Sequence, residues 1–284
     1  MDLAVPGVLR EAAAEAPGGA GVYLFLGASG EVLYVGKAGN LRQRLAQHAA
    51  AKGPRVGLAK RYDLVRRVVW EVAASEEAAA WRESELIFAL RPPYNANTGV
   101  RGVAAVGQDA RIPYVVVREG AAGVLRFGLE TAVPSDGRAY GCFPHLGKGV
   151  ASSLGIACSD GYTALLRLLW ASGGVGQLMP GAITRSAPEQ FSVVIDEGIR
   201  PALHGFLSGA RGKLVDELLL GASGRPAFMM PALRRDREAA LRFFAGGPKL
   251  VRERRLRHGV RGRVLEVETY RRLVCEEIAP VIRG

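Results

Sequence analysis

Seven side chains in the first hundred residues could act together on a phosphate. Tyr23 and Tyr34 supply phenols, Lys37 and Arg44 supply cations, and His48 supplies an imidazole. Glu83 and Asn95 follow further along the chain. Phenols and an imidazole can hand protons to or from a water. Cations can stabilise charge on phosphoryl oxygens. A carboxylate can hold a divalent metal ion.

The elements around these residues must bring them together. The stretch GVYLFLGASGEVLYVGKAGNLRQRLAQH, residues 21–48, has two apolar runs flanking Gly27-Ala28-Ser29-Gly30. That pattern is a β-hairpin. It puts Tyr23 and Tyr34 on neighbouring strands, and Gly36 is expected to break the second strand. Asn40 is a suitable N-cap for a helix that starts at Leu41. With Leu41 set at zero, Leu45 falls at about 40°, Arg44 at about −60° and His48 at about −20° around that helix. Arg44 and His48 are thus expected on the face that Leu41 and Leu45 bury, where a cation needs a partner. Arg42 points elsewhere.

A second helix is expected over SEEAAAWRESELIFAL, residues 75–90. Ser75 can cap it, and Glu76 and Glu77 suit its positive end. Glu83 falls amid the apolar face of Ala79, Ala80, Leu86, Ile87 and Leu90. Glu85 falls almost opposite and is expected in solvent. A carboxylate on an apolar stripe is the better site candidate. Arg91-Pro92-Pro93 then ends the helix and fixes Tyr94 and Asn95 in a turn.

Gly21-Val22-Tyr23 followed by Tyr34-Val35-Gly36 resembles the GIY-YIG nucleases. The segment Glu83-Ser-Glu-Leu-Ile-Phe-Ala-Leu-Arg-Pro-Pro-Tyr-Asn95 is most similar to the nuclease domain of UvrC-type and Cho-type excinucleases. The resemblance implies a metal-dependent DNA endonuclease with catalytic residues Tyr23, Tyr34, Lys37, Arg44, His48, Glu83 and Asn95. Glu83 would hold one Mg²⁺, or Mn²⁺ in its place, and such carboxylate-poor sites keep waters and use substrate oxygens as further ligands. A phenol with an ordinary pKa near 10 is a poor base until nearby cations favour its anion. Lys37 and Arg44 are expected to do that for Tyr34 or Tyr23. His48 would bond or relay a proton to a phenol, and Asn95 would support the site or touch the phosphate. Two other classes fit parts of the pattern: a homing or restriction GIY-YIG endonuclease, and a non-catalytic DNA-binding protein on the same scaffold. The first needs a specificity module such as a zinc finger or helix-turn-helix, and no such pattern occurs. The second would have lost Glu83 or Arg44, and both are present.

The composition suits a nucleic-acid partner. The 284 residues carry 38 Lys and Arg against 27 Asp and Glu, a net charge of +11. Such an excess attracts a polyanion. An apolar fraction of 49% with 23% charged residues is that of a globular chain of one or two domains. No apolar run reaches the length of a membrane span, and residues 1–10 lack the basic start of a secretory signal, so a cytoplasmic protein is expected. Cys142, Cys158 and Cys275 form no CxxC pair. UvrC-type proteins can carry an iron–sulfur cluster on four cysteines; with three scattered ones no iron–sulfur cluster is expected here.

The expected fold class is α/β. Residues 1–19 form a short helix. Residues 20–100 form the GIY-YIG domain, a small, mainly antiparallel three-stranded sheet flanked by helices, with residues 65–72 as its third strand and residues 51–54 as a loop. Residues 101–284 form a small β segment, with strands at 114–117 and 124–127, and then a mostly helical basic region. Pro113 to Pro144 and Phe206 to Leu220 are similar to the part of UvrC that follows its nuclease domain. Lys37, Arg42, Arg234, Arg235, Arg252, Arg254, Arg255 and Arg257 are the cations expected to meet DNA phosphates. The partners implied are double-stranded DNA, in damaged form, and excision-repair proteins, with no membrane.

Overall fold

A computed structural model describes residues 7–50, 62–95, 114–143, 146, 153–173, 179–184 and 188–284. The loop expected at 51–54, the boundary expected at 100 and the side chain of Cys158 lie outside the described residues. The chain divides into two compact units, one of Met1–Asp109 with Tyr270–Gly284 and one of Ala110–Thr269.

The first unit is built on the hairpin. β1 (Gly21–Leu26) and β2 (Val32–Ala38) pair antiparallel, and β3 (Arg67–Val72) pairs antiparallel with the other edge of β1. The order is β2-β1-β3. β1 is buried along its whole length, as a central strand covered on both faces should be. Gly30, at φ +80°, closes the turn where a side chain would be strained. The third strand begins at Arg67, two residues later than expected.

Gly36 does not break β2, which runs on through Lys37 and Ala38. The glycine serves a different need. It faces Tyr23 across the strand pair, and a Cβ there would fall 2.4 Å from both Cζ and the hydroxyl oxygen of that tyrosine. Only a bare backbone leaves room for the Tyr23 ring to cross β2.

Helix α2 (Leu41–Ala49) starts as expected: the Asn40 side chain accepts the Gln43 N–H at 3.0 Å. Helix α1 (Gly7–Glu15) packs on α2, and Arg42 donates from Nε to the Ala16 carbonyl at 2.9 Å. Helix α3 (Glu76–Leu90) starts at a Ser75 cap and ends on Arg91, which takes the left-handed conformation just before Pro92.

One face of α3 departs from expectation. Glu85 is not in solvent but 3% exposed. Tyr270 donates its hydroxyl proton to Glu85, and Arg82 joins Glu71, Glu85 and Glu277. The cover is the end of the chain: Tyr270 and Glu277 belong to α9 (Val267–Arg283), whose residues from Tyr270 onward fold with the first unit.

The second unit carries a four-stranded antiparallel sheet in the order β6-β4-β5-β7. Its strands are β4 (Tyr114–Glu119), β5 (Val124–Glu130), β6 (Arg138–Tyr140) and β7 (Gln190–Val194). The hairpin of β4 and β5 was legible in the sequence; β6 and β7 had no expected counterpart. Helices α4 (Ser153–Ser172), α5 (Arg200–Leu207), α6 (Leu214–Gly221), α7 (Met230–Phe244) and α8 (Leu250–Arg257) complete the unit. A single wider π turn, Ala245–Lys249, joins α7 to α8 and accommodates Pro248. Gly161 lets α4 approach α7, because a Cβ there would lie 2.5 Å from the Ala239 carbonyl oxygen. Phe143, Tyr162 and Phe206 pack edge-on or tilted about Phe243 in the core. Among the described residues, no helix is long and apolar enough to cross a membrane.

Candidate active site

The hairpin and α2 together make an aromatic cluster with one imidazole inside it. Tyr34 pairs with Phe25 in register, and its ring centroid lies 6.1 Å from that of Tyr23. His48, on the last turn of α2, sits between two phenols. Its Nε2 is 2.7 Å from the Tyr23 hydroxyl and its Nδ1 is 2.5 Å from the Tyr62 hydroxyl. Burial, with Arg44 adding to it, pushes His48 down to about 4. The ring is therefore neutral near pH 7, with one N–H donor and one bare nitrogen acceptor. One phenol must donate to His48 and the other accept from it, so Tyr23, His48 and Tyr62 form a directional chain. Tyr62 is absent from the sequence-level site. It stands outside both motif stretches, just before β3, and no periodicity marks it.

Tyr23 is fully buried, while Tyr34 is partly open. Burial raises both phenols, and each is also raised by its negatively charged or phenolic neighbour, Tyr34 for Tyr23 and Glu83 for Tyr34. Arg44 pulls both down, as expected of a cation, but does not outweigh burial. Both tyrosines are neutral near pH 7 in the protein alone.

Arg44 differs in one respect from the helical-wheel expectation. It is exposed, at the margin of the face that Leu41 and Leu45 bury, and Nη1 donates to Gln47 Oε1 at 3.0 Å. Its stem still carries the guanidinium close enough for the Tyr23 phenol to raise its pKa.

Glu83 stands where α3 meets β2. Oε1 accepts the Lys37 backbone N–H at 3.1 Å, and Oε2 lies 3.9 Å from Lys37 Nζ. The carboxylate is 21% exposed. Burial raises its pKa although Lys37 and Arg44 act in the opposite direction. A carboxylate whose charge is not fully offset by two nearby cations has capacity for a further positive charge. Among the described residues, no three His, Cys, Asp or Glu side chains gather as a metal cage. The donor set of one carboxylate with open surroundings suits Mg²⁺, which keeps its waters and takes phosphate oxygens, rather than a metal that needs an all-protein shell.

Asn95 does not face the phenols. Its Oδ1 accepts the Val35 N–H at 2.7 Å and its Nδ2 donates to the Val35 carbonyl at 2.6 Å. The side chain thus pairs with the outer edge of β2 as another strand would, holding the backbone between Tyr34 and Gly36. The structure therefore brings Tyr23, Tyr34, Arg44 and His48 into one cluster, sets Glu83 and Lys37 beside it, and gives Asn95 a supporting place behind the strand.

The expected DNA-contacting cations divide. Arg234, Arg235 and Arg257 are exposed, and Arg252 and Arg255 are half-buried. Arg254 is 4% exposed on the inner side of α8 and does not offer its guanidinium to a ligand surface. Arg42 is exposed, with its Nε engaged by Ala16.

Comparison with known proteins covers the same stretch. The model of the UvrC-like GIY-YIG domain matches residues 19–96. The UvrABC system protein C of Hyphomonas neptunium is 31% identical over 111 residues, which are 39% of this chain and 17% of that protein. That of Rhodopseudomonas palustris is 30% identical over 248 residues, 80% of this chain and 32% of that protein. The chain thus spans less than half the length of these relatives. The N-terminal endonuclease domain of UvrC from Thermotoga maritima, solved with magnesium bound, is 29% identical and covers 32% of this chain and 99% of its own, with a TM-score of 0.29. Residues 19–96 of this chain are a UvrC-like GIY-YIG domain.

Proposed function

We propose that the chain is a metal-dependent DNA endonuclease, an incision nuclease of the UvrC type that acts in the cytoplasm on damaged duplex DNA together with excision-repair proteins. One observation carries this reading: the Glu83 carboxylate is held against β2, the strand that carries Tyr34, by the Lys37 N–H at 3.1 Å and Lys37 Nζ at 3.9 Å.

Glu83 is the residue that would hold Mg²⁺ or Mn²⁺. When bound, that ion supplies charge neutralisation at the scissile phosphate and the leaving oxygen. Tyr34 is the better placed of the two phenols to orient and deprotonate the attacking water, because it is partly open while Tyr23 is closed off and tied to His48. Cancelling the charge of Glu83 removes one of the influences that raise Tyr34, so the phenol becomes a better base when the site is loaded. Arg44 stabilises the phosphoryl oxygens from the side of α2. Tyr23, His48 and Tyr62 hold the Arg44 side of the cluster and provide a path for a proton. Lys37 binds the phosphate flank, and Asn95 keeps the β2 backbone in place. The exposed cations Arg234, Arg235 and Arg257 and the half-buried Arg252 and Arg255, on α7 and α8, contact DNA phosphates.

A nicking assay on damaged and intact duplex, with and without Mg²⁺, tests this function. Mg²⁺-dependent cutting confined to the damaged duplex is the expected result. Cutting at one defined sequence regardless of damage points to a homing or restriction role. Tight binding with no cutting under any condition leaves only a DNA-binding scaffold.

A further inference from the structure

The second unit contains a group of cations that the nuclease site does not use. Tyr140, on β6, is 1% exposed, and its hydroxyl hydrogen-bonds His204 Nδ1. The two rings stack at 5.9 Å between centroids with 20° between their planes. Arg138 lies two residues before Tyr140 and so projects from the same face of β6. Arg200 lies one turn before His204 on α5 and shares its side of that helix. Gly141 bridges to Val264, which sets Arg263 beside the end of β6.

The charges within this group are unequal in their commitments. Arg200 faces Glu119 at 3.5 Å and Glu197 at 3.9 Å. Its Nε is buried and has no hydrogen-bond partner among the described residues. Arg138 and Arg263 are exposed, and among the described residues neither forms a salt bridge with a carboxylate. Both act on the buried pair. Burial pushes Tyr140 up to about 12 while Arg138 and Arg263 pull it back. Burial also lowers His204, and Arg138, Arg263 and Arg200 lower it further against Glu119. With Tyr140 donating to Nδ1, His204 carries its proton on Nε2 and is a neutral donor.

We infer that Arg138, Arg263 and the Tyr140–His204 pair form a second binding site, on the second unit, for a phosphodiester of a nucleic-acid backbone. Two exposed guanidiniums outside any salt bridge among the described residues, that of Arg138 also within hydrogen-bonding reach of the Tyr140 hydroxyl, can each grip phosphate oxygens with two N–H groups. The stacked phenol and imidazole supply a fixed floor with a neutral donor, so the site orients a phosphate without reading a base. Glu119 and Glu197 are already engaged by Arg200, which limits their repulsion of an anion. This site rests on the reading that the chain handles DNA, and it adds a contact outside the GIY-YIG domain.

The experiment measures binding of a labelled duplex by the full chain in EDTA, where no cutting occurs, across a series of salt concentrations. The Arg138→Gln/Arg263→Gln variant is expected to bind roughly tenfold more weakly at physiological ionic strength, with a salt slope smaller by about 1–2. Arg126→Gln/Arg272→Gln removes the same charge from positions outside the group and is expected to bind within about twofold of the parent. Equal weakening in the two variants means that only net charge matters and overturns the site. Unchanged duplex binding in the first variant, with loss of the line broadening of inorganic phosphate in ³¹P NMR, assigns the site to a free phosphate and overturns the nucleic-acid reading. Thermal midpoints of both variants identify any loss due to unfolding, in which case Arg138→Lys/Arg263→Lys, which keeps charge but not the two-pronged grip, is expected to bind at an intermediate level, and parent-level binding by that variant overturns the site. Failure of the nuclease reading is seen elsewhere, as an uncut duplex that the parent still binds.

Discussion

The hydroxyl of Tyr270 donates to Oε1 of Glu85 at 2.5 Å, joining two residues 185 apart in the sequence. Glu85 lies on the side of α3 turned away from Glu83, about 200° around the helix. The end of the chain therefore braces the helix that carries the candidate metal ligand without touching the ligand itself. Arg82 extends the brace to Glu71 at 2.7 Å and Glu277 at 3.3 Å. Phe88 adds a face for Arg271, whose guanidinium carbon lies 4.5 Å from the ring centre.

Tyr270→Phe is expected to lower stability by about 1–3 kcal/mol, the usual cost of leaving a buried acceptor short of its donor. Glu85→Leu, which removes the acceptor outright, should cost at least as much, and the double variant less than the sum, because both single changes break the same bond. Urea midpoints measure this. Cutting by the folded fraction of Tyr270→Phe should remain within about twofold of the parent, since the brace lies behind the helix; a collapse of cutting with stability intact would mean that Tyr270 acts on the site.

The phenols should separate in kinetics. Tyr34→Phe is expected to lower the cutting rate at saturating DNA by about a hundredfold or more, with little change in stability, as for loss of a proton-transfer group. Tyr23→Phe removes a buried hydroxyl that His48 needs, so its main cost should be about 1–3 kcal/mol of stability. Single-turnover rates alongside melting curves distinguish the two. A larger rate loss in Tyr23→Phe than in Tyr34→Phe exchanges their roles.

Much of this site was legible because local chemistry fixes it. The Gly27–Gly30 turn dictates the hairpin, Asn40 and Ser75 cap the helices, and the spacing of Leu41 and Leu45 orients α2. Glu83 was separable from Glu85 by helical period alone, and it does lie by the hairpin. What the sequence hid was distant packing. Glu85 has the pattern of a solvent residue until α9, almost two hundred residues later, covers it. Tyr62 belongs to no motif, and only the folded sheet brings it to His48. Gly36 reads as a strand breaker by propensity, yet the ring of Tyr23 across the hairpin is what demands a glycine. The same limit applied to Arg254: a run of arginines shows charge, but not which member of the run α8 turns inward.

His48 makes stability depend on pH. Its folded pKa of about 4 lies below the ordinary value of 6.5. Between those values the unfolded chain binds the proton and the folded chain does not, so stability rises with pH through that window. The contribution is complete above the unfolded pKa and is lost as pH falls toward 4. It is on the order of 3 kcal/mol at most. Glu83 works in the opposite sense, because its folded pKa is raised. The measurement is the difference in unfolding free energy between the parent and His48→Gln across this range. The parent's advantage is expected to shrink on acidification, and a constant difference would show that His48 is not held neutral.

Gly36→Ala tests the close crossing of Tyr23 over β2. A methyl group 2.4 Å from the phenol oxygen and ring carbon cannot be accommodated by a turn of a flexible tip, because Tyr23 is buried and tied to His48. Either β2 or the ring must move. The expected cost is about 1–3 kcal/mol of stability, in the range for overpacking a core. Cutting should fall further than stability alone explains, since Tyr34 and Lys37 flank the displaced position. Pairing it with Tyr23→Phe should recover little, as the ring carbon clashes too.

Glu83→Gln separates charge from shape at the centre of the site. The amide oxygen can still accept the Lys37 N–H, so the junction of α3 and β2 should hold and duplex binding in EDTA should match the parent. Cutting in Mg²⁺ should fall by about a hundredfold or more, the scale of a lost metal-ion contribution. A second readout needs neither metal nor DNA. Because Glu83 raises Tyr34, removing its charge should lower the tyrosine's titration in an ultraviolet pH series. That shift depends only on the two groups being close in the folded chain. If cutting fell while Tyr34 titrated as before, Glu83 would still matter to the reaction, but the electrostatic link that makes a loaded site sharpen its own base would be absent.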